Sequence, residues 1–121
     1  MTGDIVASHD VVYDDGVLRI SRVQPPLHGL VLTGEADEAG YQPLVSALAR
    51  LAGGNGSSAD EAHIDLSGLR FCDAAALHAM IVLAADGSRR VVLHQPASGL
   101  RALIRIVGWD ALPGLKVVTG P

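Results

Sequence analysis

Aromatic residues are scarce in this 121-residue chain: one Phe, one Trp and two Tyr, 3% of the whole. A hydrophobic core must therefore be assembled from Val, Leu, Ile and Ala, which dominate an apolar fraction of 49%. There is a single cysteine, Cys72, which excludes an internal disulfide and leads us to expect a reducing, cytoplasmic setting. Basic residues are also few. Nine Lys and Arg stand against thirteen Asp and Glu, a net charge of −4, which argues against nucleic-acid binding by electrostatics. No apolar run reaches membrane-spanning length and none near the N-terminus has the form of a signal peptide, so no membrane insertion is expected. The five histidines (His9, His28, His63, His78 and His94) never fall in HxxxH or HExxH spacing, and one thiol makes no cluster, so neither metal nor cofactor is expected. The glycine-rich "GGNGSSADE" follows a helical segment rather than a strand and lacks a lysine in P-loop spacing, which makes it a connector. Cys72 has only His78 as a nearby base in sequence, and neither a Ser-His-Asp arrangement nor a catalytic carboxylate pair occurs. The chain does not read as an enzyme.

What is present is an alternation of strand and helix signals. Residues 1–16 are polar and acidic, ending in the turn "YDDG"; they read as a tail, or as an extra strand over Val11 to Tyr13, ahead of one domain over 17–121. "VLRISRV" (17–23) alternates apolar and polar residues as a half-buried strand does, and "LVLTG" (30–34) supplies its hairpin partner across "QPPLHG". Pro43 is tolerated only in a helix's first turn, which places a helix start near Ala39 to Gln42. Leu44, Ala47, Leu48 and Leu51 share one face of that helix, and Gly53 and Gly54 end it. "AHIDLS" (62–67) reads as a buried strand. A second helix carries Leu77, Met80, Ile81 and Ala84 inward and stops at Gly87. "RRVVLHQ" (89–95) has the uninterrupted Val-Val-Leu centre of a strand covered on both faces. Ser98 offers a cap for a third helix bearing Leu100, Leu103, Ile104 and Val107, with Arg101 and Arg105 one turn apart on its outer side; "LKVV" closes as a strand. The order β-β-α-β-α-β-α-β predicts an α/β fold: a mixed sheet of about five strands with three or more helices packed against it.

The segment "FCDAAAL" (71–77) carries the functional reading. Asp is favoured just before a helix and Ala within one, so Asp73 is expected to cap the second helix. The stretch from "HIDLSGLRFCDAAAL" to "RALIRIVG", with the earlier "LVLTGEAD", resembles the STAS domain family of anti-sigma factor antagonists. Family members show a strand ending Asp-Leu-Ser, a short link with an aromatic, then Asp-Ser-Ser-Gly-Leu opening a helix. A second strand ends Gly-Glu-Leu-Asp. The resemblance spans about Val17 to Val118.

In that family a partner kinase, usually itself an anti-sigma factor, phosphorylates the serine that follows the aspartate; the unphosphorylated form binds the anti-sigma factor and frees the sigma factor. The resemblance places the switch position at Ala74, with Ala75 beside it and Ala76 where the family has glycine. Neither Ala74 nor Ala75 has a hydroxyl to modify, and Ser67 does not match the switch position. The implied protein is a non-phosphorylatable, antagonist-like domain whose partner is an anti-sigma factor or a GHKL-type serine kinase-like regulator. Its expected partner surface comprises Gly34, Glu35, Ala36 and Asp37 together with Asp73, Ala74, Ala75 and His78. The alternative is a ligand-sensing or scaffolding STAS domain, a homodimer for instance, outside any sigma-factor circuit.

Overall fold

The computed structural model describes residues 9–23, 29–52, 61–86 and 90–119. Six strands form one sheet in sequence order: β1 (His9–Asp14), β2 (Leu18–Val23), β3 (Gly29–Ala36), β4 (Glu61–Cys72), β5 (Arg90–His94) and β6 (Leu115–Val118). The first three pair antiparallel, and β3 to β6 pair parallel. Helices α1 (Tyr41–Ala52), α2 (Ala74–Asp86) and α3 (Ser98–Ile106) are the crossovers between the parallel strands. Consecutive right-handed crossovers in one direction lay all three helices on the same face of the sheet. The other face carries no helix among the described residues.

Side-chain alternation along the strands follows from this. Leu18 and Ile20, Leu30 and Leu32, and Ala62, Ile64 and Leu66 point into the helix side and are buried. Against them pack Leu44, Ala47, Leu48 and Leu51 from α1, Leu77, Met80 and Ile81 from α2, and Ile104 from α3. Tyr13 and Trp109 sit at the margin of this aliphatic core, as a chain so poor in aromatics requires. Each such Leu or Ile contributes about 1.5–3 kcal/mol of burial. Val91, Val92 and Leu93 are all buried, as the uninterrupted apolar centre of β5 predicts.

The mixed α/β sheet with three helices is as expected, and of the two readings of the N-terminal segment the extra strand holds: it spans His9–Asp14, longer than Val11 to Tyr13, and pairs antiparallel with β2 as a sixth, edge strand. The "YDDG" turn that joins them is held by side-chain oxygens: Asp14 accepts from the Gly16 N–H, and Asp15 from those of Val17 and Leu18. These amide bonds hold both carboxyls below the ordinary range. Other expectations are corrected. "GLRFC" is the second half of β4, which runs on to Cys72 instead of ending at Ser67. Ser98 is the first residue of α3 and not its cap; Ala97 holds the cap position in extended conformation, with no side-chain bond to the helix. Val107 ends that helix and is 46% exposed, so it leaves the apolar stripe. The start of α1 at Tyr41, with Pro43 in its first turn, falls within the expected window. The breaks at 24–28, the glycine stop and connector at 53–60, the Gly87 stop and the side chain of Ala84 lie outside the described residues.

Gly34 is the tightest point of the β2–β3 hairpin. Its φ is +101°, and a Cβ there would collide with the Val17 carbonyl oxygen, which accepts the Glu35 N–H at 2.9 Å. Gly16 is also at positive φ (+87°) but faces open space. Gly34→Ala is therefore expected to destabilise the fold by at least about 2 kcal/mol, from backbone strain and overpacking together. Gly16→Ala should cost only about 1 kcal/mol. Urea midpoints of the two variants measure the difference, and equal losses would show that the Val17 contact is not the constraint.

Candidate functional site

The two segments singled out in the sequence meet at the C-terminal ends of neighbouring parallel strands. Glu35 is the register partner of Phe71, and Ala36 of Cys72. The join is closed by the Asp73 N–H, which donates to the Ala36 carbonyl at 3.0 Å. Asp73 then turns the chain into α2: its Oδ1 accepts the Ala76 N–H at 2.9 Å, and its carbonyl accepts the Leu77 N–H at 3.0 Å. This is the N-cap geometry that satisfies otherwise unpartnered helix amides. Asp37 plays a similar part across the join, its Oδ1 accepting the Ala39 N–H at 3.1 Å to start a single 3-10 turn over Glu38–Gly40. Arg70 Nη2 lies 3.8 Å from Glu35 Oε2, an exposed pair linking the two strands.

Two irregularities in the β3–β4 pairing shape the site. Between Val31↔Asp65 and Thr33↔Gly68 strand β4 advances three residues while β3 advances two, and between Gly34↔Leu69 and Glu35↔Phe71 it again uses one extra. The first bulge is braced by Asp65 Oδ1, which accepts both the Ser67 N–H (2.9 Å) and the Ser67 Oγ–H (2.8 Å). The Asp-Leu-Ser motif thus has a local structural role. Each bulge turns two successive residues outward, first Ser67 and Gly68, then Arg70 and Phe71, with Leu69 buried between them. Strict alternation after the buried Leu69 would have put Phe71 inside; instead it is 51% exposed.

Beyond Asp73, Ala74 and Ala75 are exposed while Ala76 and Leu77 are buried, so the position expected to match the family switch faces solvent. His78 is exposed one turn further along, its ring centroid 6.0 Å from that of Trp109 with the planes at 44°. Val82, another turn on, is 49% exposed. Between Asp73 and Asp86 the helix carries no charge, and His78 is its sole polar side chain. All the expected partner-surface residues thus lie around one end of the sheet: Gly34, Glu35, Ala36 and Asp37 on β3 and the turn after it, and Asp73, Ala74, Ala75 and His78 at the start of α2. Two of these are buried rather than offered to a partner: Gly34 for a backbone reason, and Ala36 because its methyl group belongs to the core. Phe71, Val82 and Trp109 were not anticipated. The uncharged run of α2 was the available sequence signal for Val82, whereas Phe71 depends on the bulge and Trp109 on tertiary packing.

Cys72 is half-buried, its Sγ–H 3.6 Å from the Asp73 carbonyl. Burial, reinforced by the Asp73 charge, pushes the thiol up to about 12. It stays protonated at neutral pH, which suits a small apolar filler and not a nucleophile. Among the described residues no group of three or more His, Cys, Asp or Glu side chains is arranged to hold a metal ion, and no helix is long and apolar enough to cross a membrane.

A parallel-ended mixed sheet with three helices on one face, and an alanine-rich helix start at the C-terminal edge of its strands, defines an α/β class of fold. Comparison with known proteins narrows the class. A family profile described as "Mlab, STAS domain" matches residues 22–118, and the chain belongs to the STAS domain family. Its fold is similar to that of the anti-sigma factor antagonist SpoIIAA in its unphosphorylated form, at a TM-score of 0.60 and 12% identity over 87% of this chain and 90% of that one. It is also similar to an anti-sigma factor antagonist from Mycobacterium paratuberculosis, at a TM-score of 0.56 and 24% identity over 89% and 83% of the two chains. A comparison with curated proteins finds no match.

If the Asp73 carboxylate is the cap, Asp73→Ala should lower stability by about 1 kcal/mol, read as a lower urea midpoint, and Asp73→Asn should retain most of it. An unchanged midpoint in the alanine variant would place the start of α2 under other control.

Proposed function

We propose that this STAS domain is an anti-sigma factor antagonist-like module that binds an anti-sigma factor, or a GHKL-type serine kinase-like regulator, without phosphorylation control at the helix start. The observation that carries the reading is α2. Its outward side presents Ala74, Ala75, His78 and Val82 to solvent with no charge among them, and Phe71 stands exposed beside it. A surface helix normally sets a polar face against water, and an apolar exposed face is the mark of an interaction site. Acidic residues border the patch: Glu35, Asp37 and Glu38 on the β3 side and Asp110 beyond Trp109. The likeness to two antagonists supports the same surface, and the fold shared with them is the extent of that support.

In the family switch, a phosphate at the position of Ala74 would lie at a helix N-terminus, where free amides and the dipole favour negative charge. It would also bring up to two negative charges to the docking surface. With methyl groups at 74 and 75 the surface stays in one charge state. Incubation with ATP and the partner, where that partner is a GHKL-type kinase, should leave the intact mass unchanged; a stoichiometric gain of about 80 Da mapped to residues 71–77 would overturn the reading.

The scaffolding alternative draws on the family description itself, which names an Mlab-type STAS domain and no sigma-factor regulator. A pull-down with the whole chain separates the two: an anti-sigma or kinase-like partner supports the first, and self-association or a copurified small molecule the second.

The surface is tested directly by Ala74→Glu. An acidic residue in a helix's first turn is favoured by about 0.3–1 kcal/mol, so the variant should fold as the parent does. An interface built to receive a methyl group would have to desolvate the new carboxylate, and binding should weaken by about 2–5 kcal/mol. Circular dichroism and calorimetric titration against the captured partner read the two halves. Undiminished binding by the folded variant would move the surface elsewhere.

A further inference from the structure

On the face of the sheet that carries no helix, β4 and β5 bring together two histidines 31 residues apart in sequence. His63 Nδ1 lies 2.8 Å from His94 Nε2. The ring centroids are 5.0 Å apart and the planes differ by 27°, so the separation is just short of the two ring radii added to the N···N distance. That separation is almost the greatest the N···N distance allows, so the nitrogens face each other head-on, nearly in plane, as donor and acceptor of one hydrogen bond. That gap holds a proton and has no room for a larger ion between the lone pairs.

The geometry points to a proton-sharing histidine pair, in which His63 and His94 hold one bridging proton on the helix-free face with Glu61 orienting His63, and whose contact breaks once both rings are cationic. Proton bookkeeping carries the argument. Glu61 Oε1 lies 3.4 Å from His63 Nε2 and favours a proton on that nitrogen, leaving Nδ1 bare to accept the Nε2–H of His94. The neutral pair thus holds two protons, with His94 Nδ1 empty. A third proton enters at His94 Nδ1 and the bridging proton passes to His63 Nδ1, so the charge rests on His63 beside Glu61 and the bridge survives as a charge-assisted bond to the bare His94 Nε2. A fourth would place two N–H groups nose to nose at 2.8 Å and two positive charges side by side, so the rings must part.

The surroundings set the balance. Glu61 and Asp65 of β4 favour protonation, though Asp65 Oδ1 is already engaged by Ser67 and Glu61 Oε2 lies 3.6 Å from Arg90 Nη1. Arg90 of β5 and Lys116 of β6 contribute opposing positive charge. From β3 the facing positions are Gly29 and Val31, which do not titrate. Burial first, then the charge on His63, hold His94 below its ordinary value of 6.5. The unfolded chain therefore takes up this proton more readily than the folded one. Stability is fully present above pH 6.5 and is lost as the pH falls through the lowered value. Val92, the register partner of His63 and two residues from His94, shares this face and is 3% exposed although it lies outside the main core, so parting of the rings acts next to a buried apolar side chain.

Imidazole 15N–1H spectra of the whole chain, followed from neutral to acidic pH, test the pair. Two linked protonation steps are expected, with each ring reporting both. In His63→Gln the remaining His94 should titrate in a single step moved upward, and the acid-side fall of the urea midpoint should become shallower. His94→Gln, read at His63, provides the reciprocal measurement should the first variant fail to fold. Independent single-proton curves in the parent, or a His94 midpoint unchanged by His63→Gln, would overturn the proposal.

Discussion

The functional end of this protein depends on the way β3 and β4 run parallel with unequal numbers of residues. Strand β4 spends two more residues than β3 over the same length, and the extra ones are absorbed at two bulges. Asp65 holds the first through Ser67. Gly34 stands at the second, where only a residue without a side chain can pass so close to the Val17 carbonyl at positive φ. The strands come back into step at Ala36 and Cys72, and the Asp73 amide closes the join on the Ala36 carbonyl. From that one constraint follow the outward turn of Phe71, the placement of Asp73 as a cap, and the adjacency of two motifs that lie over thirty residues apart in the chain. The Asp-Leu-Ser and Gly-Glu-x-Asp patterns are, on this account, the backbone chemistry of the join before they are anything else.

Helices and strand centres were legible in the sequence because burial repeats with a fixed period. Leu44, Ala47, Leu48 and Leu51 recur at helical spacing, and all four are buried; Val91 to Leu93 form an apolar run too short for a helix, and all three are buried as well. What escaped is what depends on pairing. "GLRFC" breaks strand alternation, so it resembles a link until β3 is laid beside it. "HDVVYD" was readable only as one of two alternatives, since Val11 and Val12 are exposed and give it no strong core face, and the open edge of β2 makes it a strand. The cap of α3 was misassigned by one residue because Ser98 has the right chemistry but Ala97 has the extended backbone. At the candidate site the polar anchors Asp37 and Asp73 were readable from cap chemistry, whereas Phe71, Trp109 and the His63–His94 contact required tertiary register.

An uncharged helix at a solvent edge is costly unless its other side compensates. Here α2 is fixed from within by Ala76, Leu77, Met80 and Ile81, all buried, and at its start by the Asp73 cap. The outward positions are released from any duty to the fold, and alanine at 74 and 75 adds helix propensity without adding shape. A flat surface of methyl groups beside one exposed aromatic lets another backbone approach closely, which is what the proposed partner contact requires. Were the position a serine, the same inner anchoring would allow a phosphate to come and go without disturbing the helix. On the proposed reading the scaffold is compatible with a switched and an unswitched surface, and the residues at 74 and 75 decide between them.

The two chemical features of the molecule share β4 but not its partners. Strand β5 pairs with β4 only from Glu61 to Asp65, the half that carries His63; beyond Asp65, β4 pairs with β3 alone through the two bulges to Cys72. Loss of the histidine contact loosens the β4–β5 half on the helix-free face. The joining bond from Asp73 to Ala36, the cap of α2 and the outward turn of Phe71 all belong to the β3–β4 half. Protonation of the pair thus acts on the stability of the sheet, while the geometry of the candidate docking surface is set by bonds that contain no histidine. A mild acid shift would reduce the population of folded chain before it altered the shape of the site on the chains that remain folded.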